Sequence, residues 1–235
     1  MPSIMQKKAF AYLERNRVLY MAAIFPIQGG TADILYAGQD GVFIRDAESG
    51  VSFLTLDDFN RSKELMDAAG RQTHICVYQK NTADYLSEKY GFKKYVENVQ
   101  TVYTKTEYVE LPSRALDIRP LTLAHLDWAH EHIGHDREYL KGRLDSGAIY
   151  GGYSGCELCG SVGIHTDGSI GMLQVLDKFS RRGCASELLG YMVNTLLGRG
   201  HIPFSQIESD NEASIGLHRK LGFEISADIL YRLID

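Results

Sequence analysis

The chain has 235 residues, which is enough for one large domain or two compact ones. It is 44% hydrophobic and 23% charged, as ordinary globular proteins are, and its net charge of −5 gives no general basic field for nucleic acid. No apolar run approaches the roughly 20 residues that span a bilayer, and the start, MPSIMQKKAFAYLERNR, lacks a signal-peptide core. We therefore expect a cytoplasmic protein without membrane or nucleic-acid partners.

Helices and strands alternate in the first half of the chain. The sequence Gln-Asp-Gly at 39–41 indicates a hairpin turn, and Asp57 or Asp58 caps a helix that ends at Gly70. The predicted elements are a helix from Ile4 to about Arg17, a hairpin over 33–46, a strand over 50–56, a helix over 58–69, a strand over 73–79, a helix capped at Asn81 and ended by Gly91, and an edge or hairpin strand over 95–110.

The pattern restarts after the proline in Leu111–Ser113 and again mixes helices with strands. The predicted elements are a strand, a turn at Pro120 and a helix over 115–134, a helix over 136–147, strands over 148–154, 157–165 and 169–176, a helix from 184 that ends at Gly198 and Gly200, a strand over 202–209, a helix over 211–220, and a final strand pair over 222–235. The turn TDGS joins two of these strands. This mixture predicts an α+β fold.

The two halves share one internal similarity. NTADYLSEKYGFKKY and NEASIGLHRKLGFEIS both run from an asparagine through a helix and a basic residue to Gly-Phe and a strand, and each follows a short apolar strand. This favours two related domains, which we place at 1–112 and 113–235.

The cysteines and histidines do not follow a metal-binding pattern. Cys156 and Cys159 form a C-x-x-C pair in a predicted hairpin, but Cys76 and Cys184 are solitary and a structural zinc site needs a second pair. The histidines of HEHIGHD do not share a helix face at i, i+4 spacing. We expect no metal.

The stretch LDKFSRRGCASELLG has the composition of a phosphate clamp between a strand and a helix. The first amides of a helix have no intrahelical partners, and the helix dipole favours an anion there. Gly183 lets a ligand approach the backbone, Ala185 keeps the next turn small, and Arg181 and Arg182 add positive charge. The alternative is a solvated turn in which Ser180 caps the helix. Neither the P-loop motif nor the G-x-G-x-x-G dinucleotide motif is present.

From Leu116 to Asp235 the sequence resembles the GCN5-related N-acetyltransferase (GNAT) superfamily. LDIRPLT resembles its opening strand, GMLQVLDKFSRRGCASELL its acyl-CoA motif, and DNEASIGLHRKLGFEIS its closing helix and strand. The resemblance implies a mixed sheet splayed between its fourth and fifth strands, with acyl-CoA in the gap. The two-domain layout is similar to that of glycine N-acyltransferase-like members, whose N-terminal half is a degenerate copy. The first half here has no counterpart of the RRGCA loop.

The resemblance also implies a set of site residues. The pantetheine arm of acetyl-CoA would lie beside Leu173, Gln174 and Val175. Its pyrophosphate would bind the loop and helix start formed by Ser180, Arg181, Arg182, Gly183, Cys184, Ala185 and Ser186. The lower arm of the cofactor would face Asn211 and Ser214. Three residues depart from the family pattern. Ser180 stands where the family usually has Arg or Gln, Asp177 replaces a frequent proline, and His218 replaces the tyrosine that protonates the departing thiolate.

Attack of an amine on a thioester requires a polarising N–H, a base for the amine and a proton for the sulfur. We expect the N–H to come from Val175 or Leu176, and the proton to come from His218, because histidine titrates near neutral pH. His165 at the end of a strand, or Glu208 on the next strand, would take the amine proton directly or through water.

Each candidate also has a purely structural interpretation. His218 would be a surface helix residue, His165 a residue beside a turn, and Glu208 a solvent-facing strand residue. Tyr150 and Tyr153 would line the acceptor pocket or pack in the core.

These features predict an acetyl-CoA-dependent N-acyltransferase that acts on a small primary amine or amino acid. Two alternatives stay open. The chain would be a non-catalytic acyl-CoA-binding sensor or subunit, or it would acetylate a protein N-terminus or lysine. Edge strands in this fold often pair, so we also expect a homodimer.

Overall fold

The computed structural model describes residues 2–111 and 116–235, and the chain divides into two compact units. Unit 1 comprises Met1–Thr101, Gln206–Glu212 and Ile225–Asp235, and unit 2 comprises Val102–Ser205 and Ala213–Glu224. The boundary predicted between 112 and 113 lies outside the described residues, so the two-domain division stays a prediction. The units show that the closing strand packs with the first half of the chain.

The helices are α1 (Ile4–Leu13), α2 (Met21–Gly29), α3 (Phe59–Ala69), α4 (Lys80–Tyr90), α5 (Leu126–Ile133), α6 (Arg137–Asp145), α7 (Cys184–Gly198) and α8 (Glu212–Leu221). The strands are β1 (Ala32–Ala37), β2 (Gly41–Asp46), β3 (Ser52–Leu56), β4 (His74–Val77), β5 (Lys94–Val102), β6 (Asp117–Pro120), β7 (Ile149–Ser154), β8 (Glu157–Ile164), β9 (Ile170–Val175), β10 (Phe204–Glu208) and β11 (Glu224–Ile234). Among the described residues, no helix is both long and apolar enough to cross a membrane.

The strands form two sheets. One has the order β1-β2-β3-β4-β11-β5-β10 and is mixed, because β3 and β4 are parallel while β4 and β11 are antiparallel. The other has the order β6-β7-β8-β9, and all of its pairs are antiparallel. The expected α+β fold with a mixed sheet is confirmed. β9 and β10 are edge strands of their sheets.

β5 and β10 run antiparallel. The amide of Ser209 donates to the carbonyl of Glu97, and the amide of Tyr103 donates to the carbonyl of Pro203. The residue numbers therefore fall on β10 as they rise on β5, which places Asn98 opposite Glu208.

The apolar stripe predicted on α7 packs against the sheet of unit 2. Leu188, Leu189, Met192 and Val193 are fully buried in one cluster with Val162 of β8. Full burial of each such side chain contributes roughly 1.5–3 kcal/mol, so this stripe holds α7 in place.

Two predicted features of the first half are wrong in detail, and one helix is missing from the prediction. α4 begins at Lys80 with Gln79 as its N-cap, so Asn81 lies in the first turn; Gly91 ends the helix in a left-handed conformation, as predicted. The strand predicted to lie at an edge over 95–110 ends at Val102 and lies between β11 and β10. The helix α2 was not predicted, because most of its residues are buried and no amphipathic period marks it.

The prediction of a final strand pair over 222–235 is wrong. Residues Glu224–Ile234 form a single strand, β11, whose far end pairs with β4. A partner this distant in sequence leaves no local signal.

Gly41 provides a test of the hairpin between β2 and β3. A Cβ at Gly41 would lie 2.2 Å from the carbonyl oxygen of Thr55, whereas a Cβ at Gly50 would meet nothing within 4 Å, although both residues have positive φ. We expect Gly50→Ala to lose about 1 kcal/mol from the left-handed backbone alone. Gly41→Ala should lose roughly 1–3 kcal/mol more, because rigid backbone must move. Urea unfolding measures both, and equal losses would contradict the register of this hairpin.

Candidate functional site

β9 carries a bulge in the middle of the strand. Its pairing with β8 advances from Gly171 to Gln174, while the partner residues change only from Gly163 to Ser161. The extra residue allows Met172 to adopt φ 52°, in the left-handed region. A bulge of this kind bends the strand and re-aims the residues that follow it.

The backbone N–H of Val175 points to the open edge of this sheet. The amide of Leu176 donates to the carbonyl of Cys159 at 2.8 Å, so the expectation that Leu176 offers a free amide is wrong. Successive N–H groups of a strand alternate in direction, and Val175 therefore directs its N–H away from β8. Of the two residues predicted to polarise a carbonyl, the geometry retains Val175.

The loop between β9 and α7 begins with a 3₁₀ turn over Asp177–Phe179. The amide of Ser180 donates to the carbonyl of Asp177 within that turn. α7 begins at Cys184 with Gly183 as its N-cap, and no side chain caps it. Ser180 is therefore not the helix cap, and the interpretation of this stretch as an ordinary serine-capped turn is wrong.

The start of α7 presents backbone donors and positive charge together. Arg181 has φ 60° and Gly183 has φ 89°, so two left-handed residues lie close together in the loop. The first bond of the helix runs from the amide of Glu187 to the carbonyl of Gly183, and the amides of Cys184–Ser186 precede it. Arg182 is exposed and lies over the Phe179 ring. This arrangement is suited to a phosphate group.

The backbone conformation gives a further reason for a glycine at position 183. A Cβ at this position would meet no protein atom within 4 Å, and the predicted role of Gly183 in letting a ligand approach stays a prediction. The left-handed φ disfavours a side chain there and explains the glycine.

His218 is buried and neutral. Only 3% of it is exposed, its Nδ1 lies 2.8 Å from the carbonyl oxygen of Ser214, and its Nε2 lies 3.0 Å from Oγ of Ser205. A carbonyl only accepts, so Nδ1 carries the proton, and Nε2 accepts from the Ser205 hydroxyl. Burial lowers the pKa of His218 below its usual 6.5. The surface-residue interpretation of His218 is therefore wrong.

His165 is held against β9 by an aromatic neighbour. Its Nδ1 and the hydroxyl of Tyr139 are hydrogen-bonded at 2.6 Å, and burial raises the pKa of Tyr139. The ring lies so close to Gly171 that a Cβ there would be 2.1 Å from Nε2. The ring of His135 lies 5.2 Å from that of His165. His165 is thus a packed, positioned side chain.

The predicted site residues are divided between the two units. Unit 1 contains Glu208 and Asn211, with the amide of Asn211 donating to the carbonyl of Glu208 at 2.9 Å. Glu208 is exposed. The predicted residues of unit 2 are Leu173, Gln174, Val175, Ser180, Arg181, Arg182, Gly183, Cys184, Ala185, Ser186, Ser214, His165 and His218.

Sequence reasoning missed Ser205 and Tyr139, which contact the two histidine candidates. No motif marks either residue, because each meets its histidine only through the fold. Tyr150 and Tyr153 are both buried in the cores on the two faces of the unit 2 sheet. Packing therefore accounts for both tyrosines.

Comparisons with known proteins match parts of this chain. Residues 149–232, from β7 into β11, match the family model described as FR47-like protein. A 56-residue segment is 43% identical to the L-methionine sulfoximine/L-methionine sulfone acetyltransferase of Pseudomonas aeruginosa; it makes up 23% of this chain and 33% of that protein. The chain thus spans about a third of the length of the curated relatives it matches.

Solved structures show the fold over the whole chain. A Drosophila protein has a TM-score of 0.64 at 14% identity and covers 100% of this chain and 97% of its own. A GCN5-related N-acetyltransferase from Kribbella flavida has a TM-score of 0.57 at 11% identity and covers 93% and 95%. The chain has the fold of GNAT acetyltransferases, and the comparisons support the resemblance to that superfamily. The glycine N-acyltransferase-like tandem layout stays a prediction.

The neutral state of His218 predicts a pH dependence of stability. Its folded pKa is lowered, so the unfolded chain binds a proton first as the pH falls below about 6.5. The contribution of His218 is complete above that pH and decreases by up to about 1.4 kcal/mol per unit below it, until the folded pKa is reached. Urea unfolding of wild type and His218→Gln from pH 7.5 to 5 should show the wild-type advantage shrinking. A constant difference would contradict the neutral assignment.

Proposed function

We propose that this chain is an acetyl-CoA-dependent N-acetyltransferase that acts on a primary amine of a small molecule or amino acid. The observation that carries the proposal is the start of α7, where amides without a side-chain cap follow a loop with two left-handed residues and two arginines. This segment lies within the region that matches the FR47-like family model.

The residues at the start of α7 fit the diphosphate of acetyl-CoA. The amides of Cys184, Ala185 and Ser186 would hold the phosphate oxygens, and Arg181 and Arg182 would neutralise charge at the rim. Leu173, Gln174 and Val175 on β9 would hold the pantetheine arm, and Ser180, Gly183, Asn211 and Ser214 complete the proposed set. Ser180 replaces a longer family side chain, so the backbone would supply most of the binding.

Acetyl-CoA supplies the thioester whose carbonyl carbon the amine attacks. The N–H of Val175 would donate to the carbonyl oxygen as negative charge develops there. Glu208 is the exposed carboxylate suited to take the proton from the amine, with His165 as the second candidate base. His218 would give a proton to the departing sulfur through the Ser205 hydroxyl. Because Nε2 of His218 accepts in the neutral ring, Nε2 must first take up that proton from solvent by the same route.

The first half of the chain lacks the features that would let its corresponding helix start bind phosphate. Its strand–helix junction, from β3 to α3, contains Asp57 and Asp58 in place of arginines, and the Asp58 side chain caps α3 by accepting from the amide of Arg61. A carboxylate already satisfies this helix start and would repel phosphate. We infer that the first half is the degenerate copy of a tandem pair and that acetyl-CoA binds to the second.

The partial relatives support the proposed acceptor class. The Pseudomonas protein is named for two amino-acid derivatives, and a 43% identical segment makes a similar small acceptor the simplest proposal. A homodimer and a cytoplasmic location stay predictions. The competing proposal is a sensor that binds acyl-CoA without turnover. An acetyltransferase would release free CoA thiol, and the sensor would release none.

The phosphate clamp is tested by two isosteric substitutions at one position. Asp and Asn both tolerate left-handed φ and both cap helices, so Gly183→Asp and Gly183→Asn differ mainly in charge. Calorimetry should show micromolar acetyl-CoA binding by the wild type and weaker binding by Gly183→Asn, whose side chain competes for the same amides. Gly183→Asp should bind at least tenfold more weakly than Gly183→Asn, about 1.4 kcal/mol, because its carboxylate also repels the phosphates. Wild-type affinity in both variants would place the diphosphate elsewhere.

Turnover separates the enzyme from the sensor. Acetyl-CoA is incubated with a panel of primary amines that includes L-methionine sulfone, and free thiol and acetylated amine are quantified together. We expect both products in equal amounts. Binding of acetyl-CoA without either product across the panel would favour the sensor, and acetylated protein without acetylated amine would favour a protein acceptor.

A further inference from the structure

β5 and β10 carry a polar face in unit 1, and Glu208 is the one residue of this face that has a role in the proposed reaction. Asn98 on β5 lies opposite Glu208 on β10, as the bond from the amide of Ser209 to the carbonyl of Glu97 requires. Gln206 is two residues before Glu208, and side chains two apart on a strand share a face. The same register places Gln100 opposite Gln206, so Asn98, Gln100, Gln206 and Glu208 line one face of two neighbouring strands.

Two of these side chains are buried with unused hydrogen-bonding atoms. Asn98 is 2% exposed, and its Oδ1 has no hydrogen-bond partner among the described residues. Oε1 and Nε2 of Gln206 are likewise buried and lack a partner within residues 2–111 and 116–235. Native proteins satisfy nearly all buried polar atoms, because an unsatisfied one costs free energy. A cluster of three such atoms beside a carboxylate points to a bound polar group.

The chemistry of these atoms selects the group. Oδ1 of Asn98, Oε1 of Gln206 and the carboxylate of Glu208 are acceptors, and Nε2 of Gln206 is a donor. Opposite residues have Cβ atoms about 4.5–5.5 Å apart, and residues two apart on a strand are separated by roughly 6.6 Å. Three side chains at these separations reach a common point, where one nitrogen with three N–H donors satisfies all three acceptors.

We propose that Asn98, Gln206 and Glu208 bind the primary ammonium group of the acceptor, and that Nε2 of Gln206 binds an oxygen on a neighbouring carbon. The substrate class is then a primary amine with an adjacent oxygen, as in an amino acid. This proposal rests on the proposed function, for which it names the acceptor site. Glu208 takes one proton from the ammonium and becomes a carboxylic acid, which leaves a neutral amine whose lone pair can attack a carbonyl carbon.

Apolar substitutions of similar size test the two amide side chains. Asn98→Leu and Gln206→Met remove the unsatisfied atoms, so each should raise the Tm of the free protein by a few degrees. Each should also raise the KM for L-methionine sulfone at least tenfold and leave the Kd for acetyl-CoA within twofold. Glu208→Gln should lower kcat, because the amide cannot take a proton from the amine. Glu97→Gln, on the other face of β5, is the matched control and should change none of these values.

Two probe amines separate this proposal from the proposed function. Calorimetry without acetyl-CoA should show L-methionine sulfone binding more tightly than 3-(methylsulfonyl)propylamine, which lacks the oxygen neighbour, and Asn98→Leu and Gln206→Met should abolish that binding. If the wild type binds the amine but not acetyl-CoA, the site stands and the transferase proposal fails. If the variants gain Tm while KM and amine binding stay unchanged, the unsatisfied atoms hold only water and this inference is overturned.

Discussion

The unsatisfied amides at the start of α7 are the constraint around which the second half of the chain is organised. They are held from both sides. The buried stripe of Leu188, Leu189 and Met192 fixes the helix against its sheet, and the bond from Leu176 to Cys159 fixes the start of the loop on β8. The geometry of this helix start is therefore set by packing that lies outside the loop. An exposed loop with two arginines would have no comparable precision without these anchors.

The two halves of the chain have the same order of elements but differ at this junction. Three strands, a helix, a strand, a helix and a strand run from β1 to β5, and the same series runs from β7 to β11. In the mixed sheet, β11 lies between β4 and β5, and β5 lies between β11 and β10. In the first half, β3 pairs in parallel directly with β4, and Asp58 caps the helix that follows β3. A carboxylate therefore closes the helix start in that half.

Buried polar groups occur in both units, and they reduce stability where they are not paired. In unit 2 the His218 ring is satisfied at both nitrogens by Ser214 and Ser205. In unit 1, Asn98 and Gln206 have buried atoms that no described residue satisfies. Apolar residues would be more stable at such positions in a sheet. Retaining an unpaired polar atom in a core makes physical sense when another molecule completes its hydrogen bonds.

Local chemistry in the sequence determined the elements and the loop. The 3.6-residue period of α7, the cap at Asp58 with the stop at Gly70, and the glycine and arginines before Cys184 are all readable from neighbouring residues. Only the tertiary structure decided that β5 lies inside a sheet, that β11 is one strand, and that His218 is buried against Ser205. The reason is physical. Helix periods, caps and φ preferences depend on residues within about four positions, whereas strand register, burial and hydrogen-bond partners depend on segments that are far apart in the chain.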